Sequence, residues 1–142
     1  MLEVVRLGDF DKNKTRVAIV RRMRPLNGVS QNSILSPSNA LLNKYLDLRN
    51  AGNWNEHTFE TVYVPEFLKQ MNSVQAKREL NALYQHMRNN PHDEIQLACF
   101  CPQEHLCHRS IIAGLMQGAG IPVKTKNNVD YSRFYDMYKN ML

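Results

Sequence analysis

The residues best suited to chemistry lie in one short segment, residues 99–109, which reads Cys-Phe-Cys-Pro-Gln-Glu-His-Leu-Cys-His-Arg. This segment contains all three cysteines of the chain, two of its five histidines and one arginine. An apolar run, 95–98, precedes it, and an apolar helical pattern, 111–116, follows it. The segment is therefore predicted to connect a core strand to a helix, where α/β folds usually carry their functional residues.

An anion site is the first chemistry that this segment favours. A helix that begins near His108 or Arg109 presents free backbone N–H groups and the positive end of its dipole to the preceding loop. Such a helix end binds phosphate or carboxylate groups, and the guanidinium of Arg109 adds a fork of donors. We therefore expect Arg109 and the start of the helix to face solvent and to bind an anion together with Arg22.

Cysteine chemistry is the second interpretation. A helix N-terminus and a nearby cation stabilise a thiolate, so Cys107 or Cys101 is expected to have a lowered pKa, with His105 or His108 as its base. Cys107 and His108 are the candidate catalytic residues, whereas Cys99 is predicted to be a buried, unreactive thiol within the strand. The spacing to Arg109 differs from the Cys-led, Arg-closed loops of cysteine phosphatases and rhodaneses, and the segment has no glycine.

Zinc binding is the third interpretation. Cys101, His105, Cys107 and His108 are of the ligand types that tetrahedral zinc accepts. The spacing is poor, because structural zinc sites usually join two separated pairs of ligands and this chain has one cluster. Cys107 and His108 are also adjacent, and we expect their side chains to point apart. No cofactor is predicted, and a zinc-binding structural protein stays open as an alternative.

Charge is concentrated at the N-terminal end of the chain. The net charge of the 142 residues is +5, and residues 1–50 hold nine Lys and Arg against four acids. The densest part, 16–24, suits phosphate groups on a nucleotide or a nucleic acid, or is a solvated face. A nucleic-acid-binding accessory protein is therefore an alternative function. No apolar run is long enough to cross a bilayer and no secretory signal is evident, so we expect a cytoplasmic protein without a membrane partner.

The elements around the cluster follow from hydrophobic periodicity. We expect strands over 2–7 and 15–22, a long loop over 26–35, and a helix that starts with Ser36 as its N-cap. A second helical pattern is interrupted by Pro65, where we expect a kink or two short helices. Further elements are predicted downstream: an amphipathic helix through 76–87, a β-α-β unit over 94–124 and a terminal helix over 131–142.

These elements predict one α/β domain over residues 1–142. It has three layers, with a mainly parallel sheet and helices on both faces. The first two strands are expected to pair antiparallel at one edge. The functional surface is predicted at the strand ends that present Arg22, Arg24 and Ser30, together with Cys101 and the Cys107–Arg109 turn.

The turn resembles the signature of a bacterial and phage family, domain of unknown function 488, especially its YeaO-like branch. That family has a Cys after an apolar strand and, eight positions later, a Cys-His-Arg that opens a helix, as in Cys99 and 107–109 here. The similarity extends over roughly residues 1–124 and leaves 125–142 as a C-terminal helical extension. The further matches, in chain order, are the Arg-x-x-Pro segment of 22–25, the Gly-Val-Ser of 28–30, the helix start at 36–38, the tryptophan Trp54, and the pair Phe59 and Tyr63.

The resemblance implies a small α/β domain whose biochemical role is unassigned. Two family acids are replaced here by Cys101 and Arg21, which argues against a simple transfer of acid–base roles. The sequence therefore favours a protein that binds a small phosphorylated or nucleotide-like ligand through Arg109, Arg22, Arg24, Ser30 and Cys101. Whether it is also an enzyme, acting through Cys107 and His108, stays open.

Overall fold

The computed structural model describes residues 1–142 and contains one sheet of five strands. The strands are β1 (Leu2–Arg6), β2 (Thr15–Ala18), β3 (Val29–Gln31), β4 (Ile95–Cys99) and β5 (Val123–Lys124). Their order across the sheet is β3-β2-β4-β1-β5, and every neighbouring pair is parallel. The α/β architecture is thus confirmed. The expected antiparallel pairing of the first two strands is wrong, because β4 lies between β1 and β2 and pairs with both.

Strand β3 was not expected from the sequence, which predicts a loop over 26–35. It is an edge strand of three residues that pairs only with β2. Val29 is half-buried and the other two residues are exposed. Such a short edge strand needs no apolar alternation, so hydrophobic patterning carries no signal for it.

The helices are α1 (Asn39–Asn50), α2 (Glu56–Thr58), α3 (Val64–Met71), α4 (Val74–Asn89), α5 (His108–Gly118) and α6 (Arg133–Met141). Helix α1 begins two residues later than expected. Its N-cap is Ser38, whose Oγ accepts from the N–H of Leu41 at 3.2 Å. Ser36 is buried instead, and its hydroxyl donates to the carbonyl of Ser33. No helix combines the length and the apolar character that crossing a membrane requires.

The interruption expected at Pro65 takes the form of a π-helical turn. Residues Phe59–Tyr63 continue α2 in this wider geometry, and α3 follows directly with Pro65 in its first turn. The N–H of Val64 bonds the carbonyl of Phe59, five residues back. Proline has no N–H to donate, so it fits at the start of α3 without breaking the helical path. Turns of this kind occur frequently at functional sites.

Strand β4 is the centre of the core. All five of its residues are buried, including the polar Gln96. Because successive side chains of a strand point to opposite faces, both faces of the sheet are covered at β4. The carboxyl ends of β4 and its neighbour β2 lie side by side, and the 100–107 segment begins at this edge. This edge is where open α/β sheets usually bind ligands.

Candidate active site

The segment that joins β4 to α5 is fixed by a buried carboxylate. Glu104 opens a short 3-10 turn and is 7% exposed. Its two oxygens accept from the backbone N–H of Lys126 at 3.0 Å and from the hydroxyl of Tyr131 at 2.7 Å. Glu104 therefore ties the segment to the C-terminal part of the chain. It makes no ion pair with Arg109.

Three thiols and one imidazole meet at the end of β4. The Sγ atoms of Cys99 and Cys107 are 2.8 Å apart, and Nδ1 of His108 lies 3.5 Å from Sγ of Cys107. One ligand atom from each of Cys99, Cys101, Cys107 and His108 lies within 4.8 Å of all the others. The expectation that Cys107 and His108 point apart is wrong. Cys107 is the N-cap of α5 with extended backbone, φ −130° and ψ 152°, and this conformation turns both side chains toward the cluster.

Arg109 lies beneath this cluster, where it is only 3% exposed. Its Nη1 donates to Sγ of Cys99 at 3.0 Å and to the carbonyl of Cys101 at 2.7 Å, and its Nε has no partner. Helix α5 starts at His108, as expected, but the expectation that Arg109 faces solvent is wrong. The apolar residues of α5 enter the core, and the first turn of the helix is buried with them.

The electrostatics of the cluster single out one sulfur. Burial opposes the ionisation of Cys99, but the thiols of Cys101 and Cys107 and the charges of His108 and Arg109 outweigh it and hold the pKa of Cys99 well below its ordinary value. Burial raises the pKa of Cys107 well above its ordinary value. The pKa of Cys101 is raised to about 12: the thiol of Cys107 lowers it, but Cys99 and burial outweigh that effect. Cys99 is therefore the thiol of this cluster that ionises most readily.

His108 is oriented by the backbone of the neighbouring strand end. Its Nε2 lies 2.7 Å from the carbonyl oxygen of Ile19, which can only accept, so Nε2 carries the hydrogen in this bond. In the neutral ring, Nδ1 is then the unprotonated nitrogen and faces the thiol of Cys107. His108 therefore helps to hold the side chain of Cys107 in place through this nitrogen.

A cavity of about 240 Å³ opens at this edge of the sheet. The sulfur-bearing residues Cys99 and Cys101 line it together with His108 and Tyr63. Its apolar wall is formed by residues of α1 and of the segment after β4: Leu42, Tyr45, Leu46, Phe100, Pro102 and Leu106. The cavity is thus mainly apolar, with polar groups concentrated around the thiols.

Three arginines also line the cavity: Arg21, Arg22 and Arg49. Arg22 and Arg49 are exposed, and none of the three forms an ion pair with an acidic side chain. The guanidinium of Arg49 lies over the ring of Tyr45, 5.5 Å from its centroid. The mouth of the cavity is therefore positively charged and has donors free for an anion.

The site residues predicted from the sequence lie in three different places. Arg22, Cys101 and His108 line the cavity. Cys107 and Arg109 are buried behind it, and Arg24 and Ser30 are exposed residues that do not line it. Their assigned roles in catalysis and ligand binding stay predictions.

Sequence reasoning missed Tyr45, Arg49 and Tyr63 as cavity residues. Tyr45 and Arg49 are four residues apart on α1, and Leu42 and Leu46 have the same spacing, so two adjacent rows of one helix line the cavity. The apolar residues of α1 are spaced as on one side of a helix. Only the position of α1 in the fold shows that some of them line a cavity and are not packed in the core.

Cys99, Cys101, Cys107 and His108 are also the residues that could hold a metal ion. The donor types fit a Cys3His zinc site. The geometry fits less well, because zinc–sulfur bonds of about 2.3 Å place tetrahedral sulfurs roughly 3.8 Å apart, whereas Cys99 and Cys107 are 2.8 Å apart. The guanidinium of Arg109 also approaches the sulfur of Cys99, on which a zinc ion would place further positive charge.

The fold and the site define an α/β protein with a parallel sheet and a cation-supported thiol cluster at its carboxyl edge. Comparison with protein families gives a match to the active DUF488-N3 subclade over residues 2–120. The chain therefore belongs to the DUF488 family, as its Cys-His-Arg turn indicates. No curated protein and no solved structure matches it.

Proposed function

We propose that the protein is a thiol-dependent enzyme in which the Cys99 thiolate attacks a small, phosphate-bearing, nucleotide-like ligand. The observation that carries this proposal is the hydrogen bond from Arg109 to Cys99 at 3.0 Å. A guanidinium that is 3% exposed and has no carboxylate partner needs a negative charge beside it, because a buried unpaired cation is costly. Sγ of Cys99 is the group that supplies this charge.

The position of Cys99 supports a nucleophilic role. It is the last residue of β4 and lines the cavity, so its sulfur lies between the buried cation and the space in which a ligand fits. Cys107 was expected to be the nucleophile, but it lies behind Cys99 and its raised pKa keeps it protonated. In this proposal the thiol of Cys107 donates to the sulfur of Cys99, and His108 orients that thiol.

The shape and charge of the cavity support the ligand class. Its volume, about 240 Å³, is slightly below the usual range for ligand pockets, which begins near 300 Å³. An apolar wall with Tyr45 and Phe100 suits a flat ring, and Arg22 and Arg49 at the mouth suit a phosphate. The ring would then lie near Cys99, with the phosphate held at the mouth.

Site-resolved alkylation tests the thiolate. Iodoacetamide at neutral pH should modify Cys99 faster than Cys101 and Cys107, as followed by peptide mass spectrometry. Cys99→Ser should abolish the fast phase, and Arg133→Met, which changes a surface residue outside the cavity, should retain it. Equal and slow modification of all three thiols would contradict the proposal.

A zinc site is the second candidate, and the Cys99–Cys101–Cys107–His108 cluster is the observation that favours it. Elemental analysis of purified protein and titration with Co²⁺ would distinguish the two. Stoichiometric metal with all three thiols protected, and Co²⁺ absorption typical of tetrahedral thiolate ligation, would replace the thiolate mechanism by a metal centre. Metal-free protein with one fast thiol supports the enzyme.

A further inference from the structure

We infer that the hydroxyl of Tyr63 is the proton donor of this site and protonates the leaving group when the Cys99 thiolate attacks. This inference rests on the proposed function and adds a second catalytic residue to it. Tyr63 is 5% exposed and lines the cavity beside Cys99, Cys101 and His108. Its hydroxyl forms no hydrogen bond within the protein, so its donor is free for a ligand atom.

Two other packed tyrosines, of which Tyr131 is as buried as Tyr63, have hydrogen-bond partners for their hydroxyls. The hydroxyl of Tyr131 donates to the carboxylate of Glu104 at 2.7 Å, and that of Tyr138 donates to the carbonyl of Met71 at 2.8 Å. Buried polar groups are almost always hydrogen-bonded, because an unsatisfied one is costly. The Tyr63 hydroxyl is not among the fully enclosed polar atoms without a partner, so it is open to the cavity, where a ligand atom or a water molecule can accept from it.

The ring of Tyr63 is held so that its hydroxyl has a defined direction. It stacks between Phe59, at a centroid distance of 5.6 Å, and Phe67, at 6.1 Å, and Trp54 packs edge-on at 5.5 Å. Tyr63 is also the last residue of the π-helical turn Phe59–Tyr63. That turn shifts the register of the helix, so the aromatic stack and an irregular backbone together aim the phenol.

The protonation state suits a donor. Burial is the main cause that raises the pKa of Tyr63 well above its ordinary value, and the neighbouring cysteines add to it. The phenol therefore stays protonated at neutral pH and does not compete with Cys99 for negative charge. A general acid works best with a pKa near the operating pH, so a donor with a high pKa is restricted to leaving atoms that depart as strong bases, such as an alkoxide.

The proposed reaction has two steps, the attack of Cys99 on the ligand and the hydrolysis of the resulting thio-intermediate. The sulfur of Cys99 forms a bond to the electrophilic atom of the ligand while the bond from that atom to the leaving oxygen or nitrogen breaks. The proton of Tyr63 moves to the leaving atom. Water then attacks the thio-intermediate, the bond to sulfur breaks, and the proton of that water returns to the tyrosinate, so the net reaction is hydrolysis.

Two small alkylating probes separate the proton donor from the nucleophile. Iodoacetamide releases iodide, which needs no proton, whereas opening of the epoxide ring of glycidol produces an alkoxide that must be protonated. Both probes are small enough for the cavity, and mass spectrometry reports their adducts on Cys99. The quantity measured is the ratio of the glycidol rate to the iodoacetamide rate at neutral pH.

Tyr63→Phe should lower this ratio by at least about a hundredfold, the lower end of the contribution of a general acid, while the iodoacetamide rate is retained. Tyr138→Phe, which removes a hydroxyl outside the cavity, should leave the ratio unchanged. A ratio that is unchanged in Tyr63→Phe would overturn the inference. Slow modification of Cys99 by iodoacetamide in the wild-type protein would instead overturn the proposed function, so the two failures are distinguishable.

Stability provides an independent readout. A hydroxyl without a partner contributes nothing to the fold, so Tyr63→Phe should unfold at the same or a higher urea concentration than the wild-type protein. Tyr138→Phe should unfold at a lower concentration, because it loses the bond to Met71. Destabilisation or misfolding of Tyr63→Phe would show that the hydroxyl serves the structure and would also overturn the inference.

Discussion

Arg109 and Cys99 form a buried pair in which Nη1 of the guanidinium lies 3.0 Å from the thiol sulfur. The two residues are on different elements, since Cys99 ends β4 and Arg109 is the second residue of α5. The strand-to-helix connection therefore does more than place reactive residues near each other. It buries a permanent positive charge behind one sulfur and leaves a cavity in front of it.

Replacement of Arg109 should change the ionisation of Cys99. A hydrogen bond to a charged group contributes about 1.5–3 kcal/mol, and one pKa unit corresponds to about 1.4 kcal/mol. Arg109→Met should therefore raise the pKa of Cys99 by roughly one to two units. Because the thiolate is the reactive form, the alkylation rate of Cys99 should reach its plateau at a correspondingly higher pH.

The measurement is the rate of iodoacetamide modification of Cys99 across pH. In the wild-type protein the rate should already be near its plateau below the ordinary pKa of a cysteine, as the lowered pKa of Cys99 requires. Arg133→Met is the matched control, because Arg133 pairs with Glu60 on the surface. Identical pH profiles for Arg109→Met and the wild-type protein would show that Arg109 does not stabilise the thiolate.

The sequence was sufficient to locate the site but not to assign its parts. Strand β4 and helix α5 have strong apolar patterns, so the connection between them was predictable. The burial of Arg109 was not, because a charged residue at a helix start is usually exposed and only the packing of α5 against the sheet encloses it. The order of the three thiol pKa values also depends on which sulfur Arg109 contacts. The spacing of the residues along the chain does not contain this information.

The sheet order shows a similar limit. The sequence predicted β1 and β2 as neighbours because they are consecutive, which is the commoner arrangement. In the structure β4, almost 80 residues later, lies between them and supplies the most buried strand of the sheet. A pairing over this distance depends on how the helices cover the sheet, and local patterning does not define it.

The bond between Tyr131 and Glu104 should be important for stability. Glu104 is 7% exposed, and loss of a donor to a buried carboxylate costs about 1.5–3 kcal/mol. Tyr131→Phe should lower the free energy of unfolding by this amount in urea denaturation. Tyr138→Phe loses a bond to a neutral carbonyl and should cost only about 0.5–1.5 kcal/mol. Equal losses of unfolding free energy in the two variants would show that the bond to the Glu104 carboxylate contributes no more than a bond to a neutral carbonyl.

Gly114 should be required for the packing of α5 against the segment before α6. A Cβ at this position would collide with the backbone carbonyl oxygen of Tyr131. Because this oxygen belongs to the backbone, it cannot move aside as the end of a flexible side chain can. Gly114→Ala should therefore cost about 1–3 kcal/mol by overpacking, in spite of the higher helix propensity of alanine. Gly8→Ala is the control, since a Cβ there meets nothing within 4 Å. Thermal unfolding of the two variants gives the comparison.

The arginines at the mouth of the cavity should determine the affinity for a phosphate-bearing ligand. Adenosine 5′-monophosphate is a suitable probe, because it offers a flat ring and one phosphate. Arg22→Ala and Arg49→Ala should each weaken its binding by about tenfold, as expected for loss of a charge-assisted hydrogen bond, and added salt should weaken it further. Isothermal titration calorimetry measures both effects.

Arg78→Ala is the control for this experiment, because Arg78 is an exposed residue of α4 that does not line the cavity. Adenosine without phosphate should bind more weakly than the monophosphate, and this difference should shrink in Arg22→Ala. A different result would be that neither adenosine nor its monophosphate binds, whereas an oligonucleotide binds with steep salt dependence and Arg24→Ala weakens that binding. The basic N-terminal region would then be a nucleic-acid surface instead. Equal affinity for the monophosphate in all three variants would exclude the cavity mouth as its phosphate site.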